Sequence, residues 1–170
     1  YDLIEMVKDV NPDCTTILGG AHPTFLPKQT LRECSDLDVV VKGEGEETIR
    51  EVVSSGDLDG VKGVTYREDG KIVENENRPP VQDLDSLPFP AYDLLPMEEY
   101  HVADTTYATM MTSRGCPFEC IYCSSSGVCG KSWRGKSPER VIDQIKLLRD
   151  RYGVREIEML DDMFTLDRKR

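Results

Sequence analysis

The sequence predicts an α/β protein built in two parts, and three observations carry that expectation. In residues 1–77, amphipathic helical segments alternate with short apolar strands, the sequence form of a parallel sheet flanked by helices. From 105 to 160 the order is strand, long loop, helix, strand, the opening unit of a parallel barrel with a right-handed crossover. Between the two, residues 78–96 hold prolines at 79, 80, 88, 90 and 96, which neither a continuous helix nor a central strand tolerates. The expected division is an α/β domain at 1–77, a proline-rich linker at 78–104 and the start of a barrel at 105–170.

Each element has a local signal. Residues 2–10 place Leu3, Ile4, Val7 and Val10 at helical spacing, and Asn11-Pro12 stops them. A strand is expected at 14–18, and Gly19-Gly20 at its carboxyl end can turn sharply and come close to a ligand. A helix near 26–34 precedes the buried strand Val39, Val40, Val41, the turn Gly43, Glu44, Gly45, and a helix with Glu44, Glu46 and Glu47 near its positive end. Asp69-Gly70 between two β-prone runs signals a hairpin. In the linker, Leu87, Phe89, Tyr92, Leu94 and Leu95 imply a packed segment, not a free tether. A strand is expected at 105–112 and a loop at 113–135. Ser137 then caps a helix with Pro138 at its first position; Val141, Ile142, Ile145, Leu148 and Tyr152 form its inner stripe and Gly153 ends it. The second strand is expected at 155–160.

With 38% hydrophobic and 31% charged residues, the composition is that of a soluble globular protein, and no uncharged stretch is long enough to span a bilayer. A formal net charge of −11 argues against nucleic acid as a partner, because phosphate binding needs clustered Lys and Arg. Six cysteines without a secretory signal favour reduced thiols and a cytoplasmic setting. The chain starts inside an amphipathic pattern and stops just after a strand, and so reads as an excerpt of a longer protein.

The most informative stretch is TSRGCPFECIYC, which sets Cys116, Cys120 and Cys123 within eight positions, with Gly115 and Pro117 helping the backbone curl. Three soft thiolates in one loop can close on a zinc ion or an iron-sulfur cluster. Zinc in a closed site normally takes four protein ligands, and Cys129, on flexible flanks, is the available fourth. A cluster held by three leaves one iron open. Cys14 and Cys34 lie in apolar contexts and are expected to be buried, and His22 is expected to be a loop residue.

The spacing of Cys116, Cys120 and Cys123 resembles the CxxxCxxC signature of the radical S-adenosylmethionine (SAM) enzymes. That resemblance implies a 4Fe-4S cluster whose open iron is chelated by SAM, and an electron that cleaves the sulfonium to a 5'-deoxyadenosyl radical. It implies that Tyr122 lies beside the adenine, and that Asp161 or Asp162, at the end of the second strand, meets the SAM amino group. The MLDDMF run there replaces the glycine-glycine-glutamate motif common in the family. The stretches GGAHPTFLP and DVVVKGEGEETIREVV resemble the second half of the Rossmann-like cobalamin-binding domain that precedes many radical SAM domains. In that domain the loops matching Gly19 and Gly20, and Gly43, Glu44 and Gly45, flank the cobalamin nucleotide tail. The resemblance is to the group of the anaerobic magnesium-protoporphyrin monomethyl ester cyclase and the cobalamin-dependent radical SAM methyltransferases. It implies a partial TIM-like barrel, an organic substrate, and an electron donor such as flavodoxin or ferredoxin. A transfer-RNA methylthiotransferase-like enzyme and a non-catalytic zinc or iron-sulfur module are the alternatives.

Overall fold

The structure, a computed structural model, describes residues 1–170 and forms two compact units, Tyr1–Pro80 with Tyr122–Cys129, and Val81–Ile121 with Gly130–Arg170. In the first unit the order is α1 (Asp2–Val10), β1 (Ile17–Leu18), α2 (Ala21–Phe25), α3 (Pro27–Glu33), β2 (Val39–Val41), α4 (Glu46–Ser55), β3 (Val64–Glu68) and β4 (Lys71–Glu74), joined by α5 (Ser125–Cys129). The strands form one sheet in the order β1-β2-β3-β4. The β1–β2 pair is parallel, with Ile17 opposite Val39, and the rest is antiparallel.

β2 is buried along its whole length, as its run of valines requires. Side chains alternate across a strand, so Val39 and Val41 pack with Val52 of α4 while Val40 packs with Leu31 of α3. The two helices therefore cover opposite faces of the sheet. The β3–β4 turn has Asp69 at φ 46° and Gly70 at φ 75°, the doubly positive backbone of a tight hairpin.

One element is added and one expectation shifts. The helix anticipated at 26–34 stands as α3, and the short helix α2, which takes in His22 where a loop was expected, precedes it and ends at Leu26 (φ −127°, ψ 49°), because the ring of Pro27 drives its predecessor out of helical space while suiting the first position of a new helix. The first strand shortens to Ile17–Leu18, since Thr16 spends its groups on Asp38 and Asp36: its N–H donates to Asp38 Oδ2 (2.8 Å) and its hydroxyl to the Asp36 carbonyl (2.6 Å). Cys34 is buried and Cys14 half-buried.

The second unit opens with the proline-rich segment, which winds through three 3-10 turns, Leu84–Ser86, Tyr92–Leu94 and Met97–Glu99. It continues with β5 (His101–Val102), β6 (Thr105–Met110), β7 (Ser113–Arg114), β8 (Arg134–Gly135), α6 (Pro138–Tyr152) and β9 (Glu156–Met159). β5, β6 and β9 form a sheet in that order, β6 and β9 being parallel with Tyr107 opposite Glu156. Tyr92 and Met97 join Ala108, Leu148 and Val154 in the core, whereas Leu94 and Leu95, expected to pack, are exposed.

α6 is capped by the Ser137 hydroxyl, which accepts from the Arg140 N–H (3.1 Å), and ends at Gly153 in the left-handed region (φ 67°). Its buried face is centred on Gln144 and Leu148, one helical turn apart, so Ile142 is rotated outward and 49% exposed, against the expected stripe. Gln144 is tolerated inside because its amide donates to the Tyr92 hydroxyl (2.7 Å) and its carbonyl accepts from Lys136 Nζ (2.9 Å). The segment 113–135 is more than a loop: β7 and β8 pair antiparallel at its two ends, Ser113 with Gly135 and Arg114 with Arg134.

Candidate functional site

In the first unit, β1 and β2 run parallel, so their carboxyl ends open on the same edge of the sheet, the edge where such sheets receive ligands. Gly19-Gly20 leaves β1 there, and Gly43-Glu44-Gly45 follows Lys42 at the end of β2. An added methyl on Gly19 would lie 3.6 Å from the Val41 carbonyl, and one on Gly45 would lie 3.3 Å from the Val41 side chain, so both turns close on the last residue of β2. At Gly20 (φ 109°) no atom lies within 4 Å of that position, which leaves its backbone open to an approaching group. Thr24 ties the turns together: its hydroxyl donates to the Gly20 carbonyl (2.6 Å) and accepts from the Gly43 N–H (3.0 Å). Sequence reasoning passed over Thr24; the only local signal is a threonine four residues after Gly20, placed to bond back to that carbonyl. α5 lies against α2, with Gly127 so close to the Phe25 ring that an added methyl would sit 2.4 Å from it.

Two partly buried sets of ion pairs flank this sheet. Lys8 reaches Asp38 (2.8 Å); burial pushes the Asp38 carboxyl up, but hydrogen bonds from Lys8 and Thr16 outweigh it and hold the group below the usual carboxylate range. Glu74 is held low by hydrogen bonds from Lys28 and from Lys42, each at 2.9 Å. The Lys42 side chain is only 7% exposed, and Glu74 is the counter-ion that makes its burial tolerable.

In the second unit, β6 and β9 also run parallel and the cysteine loop leaves from the carboxyl end of β6. Gly115 has φ 85°, and a methyl there would lie 2.3 Å from the Ser132 carbonyl oxygen, so the loop's two ends are pressed together at a position only glycine can fill. The Cys116 N–H donates to the Gly130 carbonyl (3.3 Å). Cys116 is half-buried and Cys120 exposed, both on irregular backbone. Cys123 and Tyr122 are exposed and belong to the segment grouped with the first unit.

No group of three His, Cys, Asp or Glu side chains is gathered closely enough to hold a metal ion, and Cys129 is half-buried in α5. Thiolates repel one another, and a bound cation supplies the free energy that gathers them. The donor set itself, three soft sulfurs on a short irregular loop, fits an iron-sulfur cluster.

The two aspartates after β9 differ in exposure. Asp161 is half-buried and accepts from the Thr112 N–H (3.1 and 3.0 Å to its two oxygens), from the Thr112 hydroxyl (2.7 Å) and from the Ser113 hydroxyl. Asp162 is exposed. A cavity of about 260 Å³ lies beneath these strand ends, lined by Met110, Arg114, Lys136, Gln144 and Leu160 among others. Burial, with Arg114 and Arg140 nearby, lowers the Lys136 pKa.

Residues 1–53 match the B12 binding domain family, and Gly19, Gly20, Thr24, Gly43, Glu44 and Gly45 all fall inside that match. The whole chain aligns with a methyltransferase of Pyrococcus horikoshii, PH0819, at 47% identity over 38% of that protein. It aligns over 98% of its length with the anaerobic magnesium-protoporphyrin IX monomethyl ester cyclase of Rubrivivax gelatinosus, at 34% identity and 32% of the relative. Among solved structures, the cobalamin-dependent S-adenosylmethionine radical enzyme OxsB, with aqua-cobalamin and S-adenosylmethionine bound, superposes with a TM-score of 0.72 at 27% identity, over 95% of this chain and 23% of that one. The chain thus spans roughly a third of the curated relatives it matches. No helix is long and apolar enough to cross a membrane. A B12-binding segment in its first 53 residues and these relatives along its full length relate the chain to the cobalamin-associated radical SAM methyltransferases and the anaerobic magnesium-protoporphyrin cyclases.

Proposed function

We propose that this chain is the junction of a radical SAM enzyme, its first unit holding cobalamin and its second beginning the barrel that holds a 4Fe-4S cluster and SAM. The observation that carries the reading is the coexistence in one chain of a B12-binding segment and a CxxxCxxC loop at the carboxyl end of a strand in a βαβ unit. Cys116, Cys120 and Cys123 would ligate the cluster, Tyr122 would lie beside the SAM adenine, and an aspartate of the 161–162 pair would face its ammonium. The turns at Gly19-Gly20 and Gly43-Glu44-Gly45 would receive the nucleotide tail of cobalamin, their backbone held in register by Thr24. When bound, the cluster supplies the electron for reductive cleavage of the SAM sulfonium. This chain's own residues bind and orient: the glycine turns keep side chains out of the cobalamin approach, and the β7–β8 pair closes the base of the cysteine loop. The reaction would be methylation, cyclisation or another radical-based modification of an organic substrate, with a flavodoxin or ferredoxin as electron donor in a reducing cytoplasm.

The test is anaerobic reconstitution of the full-length protein with iron and sulfide. The expected result is about four irons and four sulfides per chain, lost together when Cys116, Cys120 and Cys123 are replaced by alanine, and reductant-dependent SAM cleavage. Tightly held zinc without sulfide would overturn it in favour of a structural zinc module.

A further inference from the structure

The aspartate pair after β9 offers two carboxylates for one expected task, and the geometry gives the first of them different work. Asp161 stands at the carboxyl end of one parallel strand and takes three donors from Thr112 and Ser113, at the carboxyl end of the other. Thr112 and Ser113 are 0% and 1% exposed and lie four and three residues before Cys116. The same junction is held from its other side. The Thr112 carbonyl accepts from the Lys136 N–H (2.8 Å) and from the Arg170 guanidinium (2.8 Å), and Ser113 pairs with Gly135 across β7–β8. The root of the cysteine loop is therefore gripped by a carboxylate on one side and by backbone pairing on the other. Hydrogen bonds to an ionised acceptor are stronger than neutral ones and directional, so this grip sets where the chain leaves β6.

We propose that Asp161 is a positioning residue for the cluster loop, acting through Thr112 and Ser113 on the orientation of Cys116. This rests on the reading of Cys116, Cys120 and Cys123 as cluster ligands. An Asp161→Asn side chain keeps the shape but loses the charge, and an amide nitrogen in place of Oδ2 cannot accept from the Thr112 N–H and sets a donor against it.

The experiment compares full-length wild-type, Asp161→Asn, Ser113→Ala and the double variant after anaerobic reconstitution, in the absence of SAM and then with it. The readouts are iron per chain, the electron paramagnetic resonance spectrum and midpoint potential of the reduced cluster, and SAM affinity. Positioning predicts that Asp161→Asn changes the spectrum and potential before SAM is added and speeds cluster loss several-fold. Ser113→Ala should act in the same direction, and the double variant should add little to Asp161→Asn. A wild-type cluster signature in Asp161→Asn without SAM, whether or not SAM binding is weakened, overturns the proposal; weakened SAM binding alone would make Asp161 a ligand. If Asp161→Asn fails to fold by circular dichroism, Ser113→Ala decides on the same readouts. Failure of the wild-type protein to take up a cluster would instead refute the underlying functional reading.

Discussion

Replacing Gly115 by alanine tests the geometry at the base of the cysteine loop, and the structure supplies a matched control in Gly153. Both glycines sit in the left-handed region, at φ 85° and 67°. Around Gly153 an added methyl meets nothing within 4 Å, whereas at Gly115 it lies 2.3 Å from the Ser132 oxygen, 3.0 Å from its carbonyl carbon and 3.2 Å from the Gly130 oxygen. The conformational cost, about 1–2 kcal/mol, is common to both. The steric cost is confined to Gly115, and because the obstructing atoms are backbone no rotamer change relieves it, which adds about 1–3 kcal/mol. The loop base should open before the whole unit unfolds, since the Cys116 N–H bond to the Gly130 carbonyl spans it. At about 1.4 kcal/mol per tenfold, the excess corresponds to roughly 5- to 150-fold faster amide exchange at Cys116 in Gly115→Ala than in Gly153→Ala. Hydrogen exchange read by mass spectrometry on the full-length protein measures it. Equal protection of the Cys116 peptide in the two variants would mean that Ser132 does not wall the loop, and the account of its base would be wrong.

Thr24→Val keeps the side-chain volume and removes both bonds that join the Gly20 and Gly43 turns. At about 1 kcal/mol per bond, hydroxocobalamin affinity should fall by up to roughly 30-fold in an equilibrium titration, and an unchanged affinity would separate the turns from the cofactor. Stability of the first unit should be flat from neutral pH down to about pH 4–5 and decline below it. Asp38 and Glu74 have depressed pKa values when folded, so the stability they contribute is present above the ordinary carboxylate range of about 4 and lost as pH falls through the lowered values. Denaturant titrations across pH 2–7 check this; Asp38→Asn should flatten part of the slope, and an identical slope in that variant would contradict it.

Much of the fold was legible because its signals are short-range. The Val39–Val41 run, Asp69-Gly70, Ser137-Pro138 and Gly153 each declare an element within a few residues, through burial, turn chemistry or capping, and each element stands where expected. The cysteine spacing is equally local, and it identified the loop without requiring its shape. Less legible were features whose cause lies elsewhere in the chain. Gln144 interrupts an apolar stripe and would be read as outward-facing, yet it is buried because Tyr92, 52 residues away, and Lys136 offer it partners. Thr24 looks in sequence like an ordinary residue ahead of a helix until the parallel pairing of β1 and β2 brings Gly43 beside it.

Sequence alone determined the spacing of the three thiols, the glycine turns at two strand ends and the α/β class, because these depend on residue type and on spacings of a few positions. Only the tertiary structure distinguished Asp161 from Asp162, since that distinction turns on a contact with Thr112 across 49 residues. The same holds for the wall that Ser132 sets against Gly115. Two adjacent carboxylates are chemically identical in sequence, and which one meets Thr112 and Ser113 is decided by the strand register that carries those distant hydroxyls to its side.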